Sequence, residues 1–235
     1  MKCGKRLSRV KHGFVACAVM LSVSVAAADG VRQNTVRSDD NDRNVKSTPL
    51  MLSFFTPVEI PYADNATWDV RGLRLNLPYG RCRDIIGLDV GVVNHAASAY
   101  GLQIGGVNIV DDDVRMTLSA GLLANVVGGS YVGFQFAGLA NVVNDDARSL
   151  SVAGGVNYAG GAYTGLQIGL VNVIPTQAKH AWQIGFWNHG GDLSECGQIG
   201  IFNYARDMDQ GVQFGLINII ESNQYPCIPI MNCRF

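Results

Sequence analysis

The side chains able to do chemistry are few and scattered along this chain. His95 and His189 each follow an asparagine in closely similar phrases, VVNH at 92–95 and FWNH at 186–189. Repeated histidines of that kind are candidates for paired metal ligands. His180 stands alone in a polar turn. The acid runs Asp111-Asp112-Asp113 and Asp145-Asp146 offer carboxylate oxygens of the type that hold calcium. The glycine-aspartate spacing of calcium-binding nonapeptide repeats is missing, so these runs read as solvated turns. No serine sits in a GxSxG elbow, and no cysteine has a histidine placed to activate it. The glycines recur with the sequence and do not open a helix, which removes a phosphate cradle. The expectation is a chain with no catalytic residue, no bound cofactor and no metal.

What organises these residues is a repeat. Asn94, Asn108, Asn125, Asn141, Asn157, Asn172, Asn188, Asn203, Asn218 and Asn232 follow one another at intervals of 14 to 17 residues. The cleanest copies around them are GLQIGGVNIV (101–110), GLQIGLVNVI (165–174) and GVQFGLINII (211–220). A fixed period means that each copy is one structural unit stacked on its neighbours. From Gly165 to Ile174 the residues alternate with period two, as in a β-strand. One face carries Leu166, Ile168, Leu170 and Asn172, and the other carries Gly165, Gln167 and Gly169. Frequent glycine and β-branched residues exclude a helix. This alternation places the asparagines on an aliphatic, buried face and Gln167 on the opposite one. In GFQFAGLAN (133–141) glutamine and asparagine are six residues apart instead of five, the mark of a one-residue bulge.

Two all-β architectures fit. In a β-solenoid of about ten coils, equivalent residues stack about 4.8 Å apart and the ten asparagines form a ladder of bonded amides. The alternative is an antiparallel outer-membrane β-barrel, with one repeat per strand and turn. The solenoid is favoured because an unpaired amide facing lipid on every strand is costly. Pro226 and Pro229 in the last repeat also remove ladder donors where an open edge needs blunting. In a solenoid His95 and His189 are six coils apart, roughly 29 Å, so they cannot share a metal ion.

The flanks point to export. Residues 1–13 are basic, the apolar run 14–28 ends in Ala26-Ala27-Ala28, and together they read as a signal peptide over residues 1–28. Residues 29–48 are polar and charged and read as a disordered leader. The aromatic, proline-containing segment 49–85 reads as an N-terminal cap, and 86–235 as the β-repeat domain. Removing residues 1–28 takes five basic residues and no acid, so the formal charge moves from −1 to −6. Such a chain has no electrostatic case for nucleic acid. Cys82, Cys196, Cys227 and Cys233 remain and could form two bridges in three pairings. Phe186, Trp187, Phe202 and Tyr204 cluster in two repeats. They read as filling or covering the core, with an exposed recognition patch as the alternative.

The segment GLRLNLPYGRCRDIIGLDVGVVN (72–94), the GLQIGLVN phrases and the closing YPCIPIMNCRF resemble the bacterial surface repeat-containing proteins first described from leptospires. The resemblance covers about residues 50–235. It implies an exported, envelope-associated protein of a diderm bacterium, at the cell surface or in the outer membrane or periplasm, and it implies no reaction. SAGLLAN (119–125) and SVAGGVN (151–157) depart from its pattern by lacking the glutamine. The expected function is therefore non-enzymatic, structural or partner-binding, with an unknown envelope or extracellular partner and membrane association left open. A small outer-membrane channel or transport-related barrel is the alternative. A pocket joining Asp89, His95 and Arg81 would reopen the question of catalysis.

Overall fold

The computed structural model describes residues 46–55, 58–61 and 68–234. The expected signal peptide and most of the leader lie outside the described residues. Among the described residues every regular element is a β-strand. Its runs are β1 (Lys46–Phe55), β2 (Val58–Ile60), β3 (Trp68–Val110), β4 (Val114–Val127), β5 (Tyr131–Ala137) and β6 (Ala140–Val143). They continue as β7 (Ala147–Ala153), β8 (Val156–Ala159), β9 (Tyr163–Ile168), β10 (Val171–Ile220) and β11 (Cys227–Arg234). Residues 46–48, read as leader, are thus strand. β3 also crosses the 85/86 boundary between expected cap and repeat without a break.

Five successive parallel pairings carry β3 to β4, β5, β7, β9 and then β10. A second parallel series joins β4, β6, β8 and β10. Repeat therefore stacks on repeat in register, with Asn125 beside Asn141 and Asn157 beside Asn172. This is a parallel β-solenoid, and its pairing is incompatible with the antiparallel barrel considered from the sequence. At the ends, β2 pairs antiparallel with β1, and β11 antiparallel with β10.

β10 is 50 residues long and would reach about 165 Å if straight, so it must turn at corners. One corner is set by backbone conformation. Gly133 and Gly165 hold φ values of +145° and +130°, and a Cβ there would collide with the carbonyl oxygens of Thr117 and Ser149. Other coils pass the same corner with one extra residue in the left-handed region, Met116 at 48° and His180 at 51°. Either solution turns the chain, which is why the repeat tolerates a varying period.

The second corner, at Gly169-Leu170, separates β9 from β10 and overturns the sequence assignment of inside and outside. Period-two alternation holds only along a straight strand. The bend shifts the parity, so Gln167 and Asn172, five residues apart, both point inward with exposures of 1% and 0%. Leu166 and Ile168 are half-buried, and Leu170 is 60% exposed. The extra residue of coils such as 133–141 enters at this same corner, where the register shifts between Gly105 and Val107.

The interior has two parts. One is apolar: Val110, Val127 and Val143 form one row, and Val114, Tyr131, Ala147, Tyr163 and Ala178 another, all buried. Tyrosine alternates with alanine in the second row, so a large side chain fills the space left by a small one. The hydroxyl of Tyr163 donates to the Ser149 carbonyl at 2.8 Å, and burial pushes its pKa up to about 12. The other part is made of amides. Asn94 Nδ2 donates to Asn108 Oδ1 at 2.8 Å and to the Ile104 carbonyl at 3.0 Å. The same pair of bonds recurs from Asn108 through Asn203, the last donating to Asn218 Oδ1 at 2.7 Å. Gly169 lies against this ladder, where a Cβ would come within 2.8 Å of Asn157 Nδ2. The glycine three residues before the asparagine makes room for the amide. Asn76 joins the ladder by donating to Asn94 Oδ1 at 2.7 Å. Asn232 does not extend it, because β11 runs antiparallel and turns its Nδ2 toward the carbonyls of Asn218 and Pro226.

A parallel glutamine row runs beside the asparagines. Gln183 donates to Gln167 at 3.1 Å, Gln198 to Gln183 at 2.7 Å and Gln213 to Gln198 at 2.7 Å. Because both rows are buried, Asn172→Leu and Gln167→Leu should each destabilise the fold by about 1–3 kcal/mol, the loss expected when buried amides are stranded. Denaturant melts check this; a Gln167→Leu variant as stable as the parent contradicts the buried glutamine row.

Candidate functional site

Near the N-terminal end of the stack, ionic groups replace the amides. Arg74 and Asp89 stand where other repeats carry glutamine, in GLRLN and GLDVG. Both side chains are 0% exposed. Arg74 donates through Nε and Nη2 to the two Asp89 oxygens at 2.8 and 2.6 Å, the bidentate geometry that suits a buried guanidinium. Arg74 Nη1 also donates to the His95 carbonyl at 2.9 Å, and Asn76 Nδ2 donates to Asp89 at 2.9 Å. The aspartate is thus held by the donors around it as well as by its counter-ion.

On the outer side of the same coils a polar chain runs from Tyr79 to Arg81. His95 Nε2 lies 3.0 Å from each Asp111 oxygen, and its Nδ1 lies 2.9 Å from the Tyr79 hydroxyl. A carboxylate only accepts, so Nε2–H donates to Asp111, and the direction of the Nδ1–Tyr79 bond follows the protonation of the ring. Arg81 Nη2 adds a contact with Asp111 at 3.3 Å and is 48% exposed. The hydrogen bond from His95 holds the Asp111 carboxyl below the usual carboxylate range; partial burial opposes it, and the charges of His95 and Arg81 reinforce it. Asp89 is therefore enclosed with Arg74, Arg81 lies outside, and His95 meets Arg74 through its carbonyl. The three residues whose convergence would have suggested catalysis do not line one pocket.

The remaining sequence candidates are dispersed. His189 stacks on Tyr204 with ring centres 4.8 Å apart and planes at 3°. His180 pairs with Glu195 at 2.6 Å. Asp113 and Asp146 use their Oδ1 atoms to accept from the backbone of Ser130 and Ala162 at 2.9 and 2.7 Å, so these acids close turns. Among the described residues, no three histidine, cysteine, aspartate or glutamate side chains are grouped to hold a metal ion. Cys196, Cys227 and Cys233 are free thiols, and Cys82 and Cys196 are buried. Cys227 and Cys233 lie six residues apart on the extended β11, about 20 Å along a strand and far beyond disulfide reach. Burial pushes the Cys196 thiol up.

The aromatic cluster corrects one part of its expectation, that it fills the core. Phe186 and Trp187 are 50% and 40% exposed and do not fill the core. They lie at and just after the second corner, and Phe202 packs between them at ring separations of 5.7 and 5.8 Å. They belong to a larger apolar exterior that also includes Ile104, Phe136, Leu139 and Leu216. No family model, curated protein or solved structure matches the chain.

Two outcomes follow from the ionic end. Asp89→Asn strands the Arg74 charge in the interior and should cost about 3–5 kcal/mol. The double change Arg74→Gln/Asp89→Gln restores amides to the row and should recover most of that loss in a denaturant melt; a double variant no better than the single one contradicts the account. Asp111 is ionised more readily in the folded chain. Its contribution is therefore complete above the ordinary aspartate pKa of about 3.9 and fades as the pH falls toward the lower folded value. Asp111→Asn should lose less melting temperature than the parent between about pH 6 and pH 3; an equal loss contradicts the assignment.

Proposed function

We propose that this chain is a non-enzymatic, exported repeat protein of the bacterial cell envelope that acts by presenting a stacked β-surface to a partner. The carrying observation is the distribution of polarity: amides and an ion pair lie inside, while leucine, isoleucine, phenylalanine and tryptophan lie outside. Catalysis needs converging groups open to a substrate. In this chain Arg74 and Asp89 are sealed from solvent, and in the outer polar chain His95 and Arg81 are both bonded to Asp111. In this reading the stack comprises about ten coils and the first segment acts as a cap. Support comes from the asparagine contacts spanning Asn76 to Asn218 and from the antiparallel β2 and β11 at its edges. Antiparallel closing strands leave fewer free parallel edges for uncontrolled growth.

Export rests on the basic and apolar segments of residues 1–28, and an envelope location on the resemblance to leptospiral-type surface repeat proteins. No cofactor or nucleic acid is needed. The test is fractionation of producing cells combined with protease treatment of intact cells and N-terminal sequencing. The expected product lacks residues 1–28 and is found in the envelope or outside the cell. An unprocessed chain in the cytoplasm refutes the proposal.

A further inference from the structure

We infer that the apolar face of this solenoid is the docking surface for a second copy of the chain, forming a closed two-fold dimer. The face consists of outward rows that parallel registration lines up from coil to coil. One row rises along the second corner as a ridge, with Leu123, Leu139, Leu170, Phe186, Ile201 and Leu216 exposed and Gly106 and Gly155 as notches in it. The next lies on the strand before it and exposes Ile104, Phe136, Ile184, Ile199 and Phe214. The third contains Leu118, Phe134, Leu150, Leu166 and Trp182 in register. From Leu88 to Leu216 no charged residue occupies any of these rows.

Beside the third row runs a groove of about 750 Å³ lined by Met116, Leu118, Val132, Phe134, Leu150 and Leu166, with one cation, Arg148. One strand joins groove to ridge: Leu166 lines the groove, and Leu170, four residues on, stands exposed in the ridge. A two-fold axis lying in the contact plane, parallel to the stacking direction, superposes the ridge of each copy on the groove of the other. Coil then faces coil at the same height, so Leu139 and Leu170 of one copy meet the row of Phe134 and Leu150 in the other. This is the reciprocal contact that an isologous interface requires, and the two surfaces share the same stacking spacing.

Size favours the same occupant. The asparagine ladder spans nine hydrogen-bonded steps, about 43 Å at roughly 4.8 Å each. Three rows two residues apart cover a width of about 17 Å with their side chains. The resulting face of about 700 Å² is close to the roughly 800 Å² that each partner buries in a stable complex. It exceeds the largest apolar patch of a typical monomer, about 300–600 Å². Charge argues against an anionic lipid surface. Residues 46–235 carry 10 basic and 15 acidic residues, and the acid runs 111–113 and 145–146 lie in turns outside the three rows.

The inference is independent of export, because dimerisation is measured on the purified chain wherever the cell places it. The chain as recovered from its producing cell is examined by sedimentation equilibrium at micromolar concentration, alongside Leu139→Glu/Leu170→Glu. The parent should sediment as two chains and the variant as one, with the variant's β-sheet circular dichroism and melting retained because both side chains are exposed. Gln177→Glu, on the polar corner, should remain dimeric. A monomeric parent, a dimeric Leu139→Glu/Leu170→Glu variant, or open-ended association overturns the proposal. So does a monomeric parent that floats with phosphatidylcholine vesicles, which would assign the face to lipid.

Discussion

Everything in this molecule depends on side-chain amides that hydrogen-bond along the stacking direction. A primary amide offers donors and acceptors at one position, so a column of identical amides repeating at the strand spacing can satisfy itself. The asparagine column does so from Asn94 to Asn218, and Asn76 donates into it while its own buried Oδ1 has no partner. Each amide from Asn94 to Asn218 also donates to a carbonyl of an adjoining segment. Bonds in two directions fix register, and fixed register brings the glutamine row into line. The same geometry dictates the G-x-x-N phrase, since the glycine leaves the space that the amide occupies, as at Gly185 beside Asn172 Nδ2. Where serine interrupts the glutamine row the contacts lengthen: Ser119 reaches Gln103, and Ser151 reaches Gln135, each at 3.4 Å.

An interior occupied by amides changes the meaning of the hydrophobic pattern. The aliphatic residues between glutamine and asparagine have no place inside and form the exterior. The repeat, its strands and their parallel stacking were legible in the sequence, because a constant phrase cannot be served by strands of alternating direction. The orientation was not. Gln167 and Asn172 are an odd number of residues apart, so a straight strand separates them, and nothing in GLQIGLVN marks the bend at Gly169-Leu170 as a turn. For the same reason Phe186 and Trp187, expected to fill or cover the core, do not fill it and stand half-exposed.

The ionic end was more legible than the reading made of it. Arg74 and Asp89 occupy the glutamine position of neighbouring phrases, one positive and one negative, and in-register stacking makes them partners. A substitution of opposite charges within one buried row is a strong contact signal. Asn76 carried no such signal, because it sits at the glycine position of its phrase and joins the ladder from there. Asn232 shows the reverse failure: its spacing of 14 from Asn218 fits the repeat, while the direction of β11 removes it from the column. Spacing specifies stacking only while the chain keeps turning the same way.

The central claim, that both amide rows are buried and mutually bonded, is tested most directly by hydrogen–deuterium exchange of side-chain NH2 resonances in a nitrogen-edited NMR spectrum. The account predicts that the NH2 signals of Asn125, Asn172, Gln183 and Gln198 persist long after those of the exposed Gln177 and Gln224 have exchanged. Loss of all of them together at the rate of a free amide would contradict it.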